Sequence, residues 1–316
     1  MNRKRSLLRN IIFELRWLRA VKAAWIALGV LVLSGVYGAT QSVFHVQAAV
    51  TRFHVSAKEL SASGGNVADA LRQAVTVEYV DGHQEVANPV RFDYDAMQAA
   101  AGSLLPLGQV EANLTFLATV LGPLLFVVFG VIVGSHDRVA KTVRYRVENS
   151  SGGAVFAGKT LTLGAMSAAA VMVVSGLSLL SSFAVRACAG ESLQSVLSSM
   201  TTDRPLAPVF ALAVTTMAIS WIWSLVGLII GTLCRNYLIP VVAVLAGTYV
   251  IPLSGPFDIR DVETAWVARW DSGGGFFPPE ATIEPSAALA VAWLAATLLA
   301  LVVVSAVDRR RGYVHT

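Results

Sequence analysis

Ionisable side chains are scarce in this chain and very unevenly placed. Only 14% of the 316 residues are Asp, Glu, Lys or Arg. The stretches 23–44, 112–135, 160–185, 206–234, 236–257 and 286–307 contain none of these, and no His. Cysteine is nearly missing as well. Cys188 and Cys234 are the two present, and no intrachain disulfide is expected between them because they fall on opposite faces of the topology derived below. The five histidines, His45, His54, His83, His136 and His315, are scattered over both faces, so no metal site is expected. With no charge inside the apolar stretches, an ion-driven carrier lacks the group that would bind its coupling ion. An intramembrane enzyme likewise lacks paired carboxylates, a His cluster or a Ser/Lys pair, so no catalytic residue is assigned.

What is present is apolar: 55% hydrophobic residues and a mean hydropathy of +0.63. At about 1.5 Å per residue, each uncharged stretch reaches roughly 33 Å or more, enough for a hydrocarbon core of about 30 Å. The stretches are too continuous for the alternating strands of a barrel. An all-α, polytopic membrane protein with six spans is therefore expected. Arg3, Lys4, Arg5, Arg9, Arg16, Arg19, Lys22, Arg138, Lys141, Arg144, Arg146, Lys159, Arg235, Arg309, Arg310 and Arg311 all fall on one face if the spans alternate. That is the majority of the 24 Lys and Arg residues, and the positive-inside rule then selects N-in, C-in.

The expected organisation begins with a cytoplasmic interfacial helix at 1–22, the first span at 23–44 and an extracellular domain at 45–111. The second span, 112–135, is followed by a cytoplasmic segment at 136–159 and the third span at 160–185. The fourth and fifth spans are 206–234 and 236–257, with an extracellular, re-entrant or ordinary loop at 258–285. The sixth span is 286–307 and the tail 308–316 is cytoplasmic. In residues 6–22, Leu7, Leu8, Ile11, Ile12, Leu15 and Leu18 share one helical face with Arg9, Arg16 and Arg19 mostly off it. This reads as an amphipathic helix at the interface, with a solvated basic leader as its rival. A signal peptide is disfavoured by the length of the apolar stretch and the lack of a small-x-small exit. Alternation around Asp81-Gly82 is a hairpin signal, so the external domain is expected to be small and α+β.

Gly130 and Gly134 close the second span, and Gly227 and Gly231 close the fourth. Small residues at this spacing let helices approach closely, either within the chain or at a dimer contact. Phe116, Phe126, Phe129 and Tyr249 could line a path through the membrane or serve as core and lipid contacts. Gly153 to Thr160, GAVFAGKT, satisfies the P-loop spacing, but a span succeeds it and the charged VRYRVENSS precedes it. No stretch supplies an α/β nucleotide domain, so the match is taken as coincidental and the glycines as a turn.

The arrangement resembles the permease subunits of type-2 ABC transporters, the ABCG-like exporters. The resemblance rests on an interfacial helix carrying Glu14-Leu15-Arg16, an external domain after the first span, and a basic cytoplasmic helix before the third. Asp137, Thr142 and Lys159 are similar to an acidic residue, a threonine and a lysine that mark that loop in the family. Lys141 stands where the family has glycine, and the arginine that often precedes the lysine is missing. The resemblance implies a coupling helix at about 137–148 docked in a separate ATP-binding subunit through Asp137, Arg138, Lys141, Thr142, Arg144, Tyr145, Arg146 and Glu148. The basic, hydrogen-bonding surface of Arg138, Lys141, Arg144, Tyr145 and Arg146 suits an acidic partner in its own right, and suits anionic lipid equally as a topology signal.

The same resemblance implies a dimer of this chain, or a pair with a related permease, in the cell membrane. Two ATP-binding subunits would carry ATP and Mg, and this chain would bind no cofactor and no nucleic acid. Export of an amphipathic drug, lipid or peptide is the implied activity. The reading from another class is a non-transporting sensor or scaffold that binds a ligand through its extracellular domain.

Overall fold

The computed structural model describes residues 3–20, 22–80, 83–140, 152–188, 194, 196–197, 204–234, 236–249, 258–272, 275–276, 279 and 283–314. These form helix α1 (Arg3–Ala20), α2 (Ala23–Ala62), α3 (Val67–Ala70), strands β1 (Val77–Val80) and β2 (His83–Val86), α4 (Pro89–Gly102), and α5 (Pro106–Phe116). A π-helical turn, Leu117–Leu121, joins α5 to α6 (Gly122–Val139). Helices α7 (Gly152–Cys188), α8 (Leu206–Leu233), α9 (Leu238–Tyr249), α10 (Ile259–Ala268) and α11 (Ala287–Val314) complete the elements among the described residues.

Among the described residues, five helices are long and apolar enough to cross a membrane: α2, the continuous rod Pro106–Asp137, α7, α8 and α11. The chain is therefore a multi-pass membrane protein. The run 236–257 is seen as the 12-residue helix α9, and residues 250–257 lie outside the described part. Several helices outrun the uncharged stretches that announce them. Helix α2 continues to Ala62, and the second rod starts at Pro106, so it takes in Glu111. Helix α7 begins at Gly152 and takes in Lys159. The expectation that the spans contain no ionisable group is corrected accordingly, and so is the turn assigned to Gly153–Thr160, which is helix. Hydropathy marks only where a helix is greasy. A helix continues while its amides are satisfied, whatever its side chains.

The segment after the first span is mostly helical. Helix α4 is entered through Asn88, whose side chain accepts from the Arg91 amide 3.1 Å away, with Pro89 at its first position. It packs along α2, where Val46, Ala49, Met97, Ala100 and Leu104 bury one another. The antiparallel pair β1–β2 matches Val77 with Val86 and Val80 with His83. It is the one sheet among the described residues, and Asp81 and Gly82 lie outside them.

Because lipid is as apolar as leucine, helices in a membrane associate through close packing and polar contacts rather than by escaping water. The tightest pair here is α6 with α8. A Cβ added to Gly130 would sit 2.0 Å from the Ser224 carbonyl oxygen, and one on Gly227 would sit 2.2 Å from that of Val127. At Gly134 and Gly231 the facing backbone would lie 2.7 and 2.5 Å from an added Cβ. The four glycines are thus matched to one another inside the chain, leaving no gap for a second copy at that seam. Phe126, Val127, Leu114, Leu212 and Trp223 fill the interior beside them, while Ile26, Leu33, Met172, Leu180, Phe210 and Leu299 are 66–70% exposed around the outside. Such a girdle belongs against lipid.

Gly130→Ala should therefore overpack the α6–α8 seam at a cost of about 1–3 kcal/mol. Gly176→Ala, at a position with open space within 4 Å, should leave stability unchanged or raised. Thermal unfolding of the two variants in detergent, compared with wild type, checks the contrast.

Candidate functional site

The N-terminal helix does not turn its apolar stripe inward. Leu18 is buried, but Leu8, Ile12, Phe13 and Leu15 are 41–60% exposed. The residues facing the bundle are Asn10, Glu14 and Leu18, spaced four apart so that they stack on one face. The inward stripe therefore carries polar groups, and most of the apolar side is left for lipid. Helix α1 lies mainly on α7, where Gly158 gives Asn10 its room: a Cβ there would come within 2.8 Å of the Asn10 Cβ.

This stripe meets the C-terminal turns of α6 and the second turn of α7. Ser135, His136 and Asp137 are all buried at the end of α6, and Lys159 is buried on α7 in step with Val155 and Leu163. The Lys159 ammonium lies 2.8 Å from Asp137 Oδ2. His136 Nε2 lies 3.0 Å from Asp137 Oδ1 and 3.6 Å from Glu14 Oε2. Its Nδ1 is 3.0 Å from the Val133 carbonyl, which can only accept, so Nδ1 carries a hydrogen. Both ring nitrogens thus face oxygen atoms, one on the backbone and the others on the two carboxylates. Trp17 stacks on the same ring at 4.0 Å and 26°, covering it from one side.

Four ionisable groups within one contact network, each less than a tenth exposed, are tolerated because each has an oppositely charged or hydrogen-bonding partner beside it. The ligand atoms of Glu14, His136 and Asp137 lie within 4.8 Å of one another, a grouping that the spread of histidines along the sequence does not announce. Lys159 already supplies a cation to Asp137, so the cluster reads as an ionic clamp between three helices rather than a metal centre.

A second polar layer occupies the opposite end of the bundle. Glu111 on α5 accepts from the Ser272 amide and hydroxyl and faces Arg204 Nε at 3.5 Å. Thr115 donates to Asp271 at 2.6 Å, and Asn113 donates to Ser178 at 2.8 Å. Helix α10 starts at Asp258, which caps it by accepting from the Arg260 amide at 2.9 Å. Burial pushes the Asp258 carboxyl up, but its hydrogen bonds to Arg260 outweigh that and hold it below the usual carboxylate range. Helix α10 then packs on the π turn in the middle of the second rod and on α8. There Trp223 donates to Glu263 at 2.7 Å, both side chains 4% exposed. This short helix thus reaches the π turn at the mid-length of the second rod, where protein surrounds it.

Of the residues expected to contact an ATP-binding subunit, Asp137 is buried in the clamp, not presented at a surface. Its position is set by Lys159 and His136. Arg138 is the next residue of α6. Lys141, Thr142, Arg144, Tyr145, Arg146 and Glu148 lie outside the described residues. Phe126 and Phe129 are buried in the helix packing, and Phe116 packs with Tyr37 and Phe276 at 5.6 and 5.7 Å. The Tyr249 side chain is outside the described part. Cys188 and Cys234 are free, and stand at opposite ends of the bundle. Sequence reasoning missed His136, Trp17, Asn10 and Glu263. The available signal was a lone charge in helical register with apolar neighbours, as Lys159 is with Val155 and Leu163. No family model, curated protein or solved structure matches the chain.

Lys159→Met should leave Asp137 buried without its cation and cost about 3–5 kcal/mol. The double variant Asp137→Leu/Lys159→Met, which removes both charges, should recover most of that loss. A double-mutant cycle from unfolding in detergent measures the coupling, and additive losses would show that the clamp is not a unit.

Proposed function

We propose that the chain is the membrane-spanning permease subunit of an ATP-driven ABC transporter of the type-2 class. It would have six spans with both termini inside the cell membrane. The observation that carries this reading is the convergence of Glu14, Asp137 and Lys159. These residues bear much of the sequence resemblance, they come from three separated parts of the chain, and they are drawn into one buried ionic cluster. Asp137 and Lys159 flank the basic segment that would dock on an ATP-binding subunit, and Glu14 belongs to the interfacial helix. A displacement of that segment would therefore be felt by α6, α7 and α1 together. A stiff ionic junction is what a machine needs where a force from outside the membrane enters it.

On this reading the fuel is consumed by two copies of a partner subunit, which bind ATP and Mg. This chain pairs with itself or a related permease and exports an amphipathic drug, lipid or peptide. The helical GAVFAGKT has no nucleotide role. The re-entrant α10, with Glu263 and Trp223 against the π turn, forms part of the outer barrier.

Tagged chain recovered from its native membrane should bring down a protein with a P-loop and an LSGGQ-like signature, and the pair in liposomes should hydrolyse ATP. Arg144→Ala/Arg146→Ala should lower that turnover without loss of assembly. Nucleotide hydrolysis by the isolated chain, or recovery of a kinase or regulator in place of an ATPase, would overturn the proposal; the latter result favours a sensor.

A further inference from the structure

The junction of α1 and α2 is strained and basic, and it opens onto an apolar groove. Lys22, at the corner, has φ of 62° and is the one non-glycine residue with positive φ among the described residues. A lysine in the left-handed region costs about 1 kcal/mol or more, and such strain persists where the surroundings impose it. Glycine would turn this corner freely. The retained lysine instead joins Arg16 and Arg19 around a recess of about 640 Å³ that also takes in Trp25. Arg16, Arg19 and Lys22 are exposed, and no carboxylate pairs with them among the described residues.

Arg19 and Trp25 also line a second, adjoining recess of about 300 Å³. Its walls are otherwise wholly apolar, formed by Leu28 and Leu31 of α2, Phe126 and Phe129 of α6, and Met166 of α7, among others. Helix α2 exposes Trp25 at 59% and Ile26 at 67% on the outside of the same turns. The combined shape has a cationic mouth at the end of the bundle that holds the ionic clamp. The mouth adjoins the apolar groove through Arg19 and Trp25, which line both. An acidic peptide would use the mouth and leave the groove empty, and a neutral hydrocarbon would do the reverse. Charge and apolarity are matched together by an amphiphile with a phosphate at one end and a long hydrocarbon chain at the other.

We propose that this corner is a binding site for one anionic phospholipid of the adjacent leaflet. Its phosphate lies among Arg16, Arg19 and Lys22, and one acyl chain lies against Trp25, Leu28, Leu31 and Met166. The site rests on the chain spanning a membrane, not on the transport reading, so each can fail without the other. It gives the strained Lys22 a function, since relaxing the turn to glycine would remove a phosphate ligand. It also ties α1 to α2 on the side away from the clamp.

The test uses the full chain in detergent micelles, titrated with phosphatidylglycerol or phosphatidylcholine carrying brominated acyl chains, which quench tryptophan on contact. Phosphatidylglycerol should quench saturably, and the quenched component should vanish in Trp25→Phe. Lys22→Gly should keep or raise thermal stability while weakening phosphatidylglycerol about fivefold, the effect of one basic residue at a lipid surface. Arg16→Gln/Arg19→Gln should weaken it more than tenfold. Inorganic phosphate alone should not compete. Equal quenching of wild type by both lipids would overturn the proposal without recourse to any variant. So would displacement by free phosphate, or a mass measurement showing the corner covered by a second copy of the chain.

Discussion

A lysine sealed between membrane helices survives only beside its counter-charge, and the contact between Lys159 and Asp137 at 2.8 Å is the constraint on which this architecture turns. It fixes the end of α6 against the beginning of α7 although the intervening segment is polar and basic. It also leaves a second carboxylate oxygen for His136, and through His136 a place for Glu14. Once Glu14 must face inward, α1 has to present Asn10 and Leu18 on the same side, which turns Leu8, Ile12 and Leu15 outward. The orientation of α1 thus follows from where the buried Glu14 finds its partner.

The second rod links this clamp to the polar layer at the other end. It runs from Pro106 to Asp137, with Glu111 held near one end by Ser272 and Arg204 and Asp137 held at the other by Lys159. Between them the helix loosens into the π turn at Leu117–Leu121, and α10 packs against that turn. Such turns interrupt the regular hydrogen-bond ladder and often mark functional places. The glycine seam with α8 leaves no slack immediately below it. Rigid ends and one irregular turn in the middle make the turn the natural place for the rod to change shape, with Glu263 and Trp223 directly alongside.

Much of the fold was legible because the bilayer imposes a strong rule: helices long and apolar enough to cross it coincide with five of the uncharged stretches. The pairing of Gly130 and Gly134 with Gly227 and Gly231 was legible as close packing, though not as to which surface it would occupy. The clamp was half legible. Asp137 and Lys159 drew attention through their resemblance to a family pattern, but they read as a surface contact and the start of a span rather than as partners. His136 looked like one of five scattered histidines, and Glu263 like part of an outer loop. A side chain's solvent is decided by what folds over it, and local sequence carries no record of that.

By itself, then, the amino-acid order determined that this is a membrane protein and where most of its crossings lie, because each depends on a contiguous run of about 20 apolar residues. It also determined which segments carry the positive charge. Tertiary structure alone decided which charges are buried together, which face of α1 meets the bundle, and where α10 goes. These depend on residues separated by more than a hundred positions in the chain, such as Glu14 and His136, and the energy of a buried charge is a property of its neighbours in space.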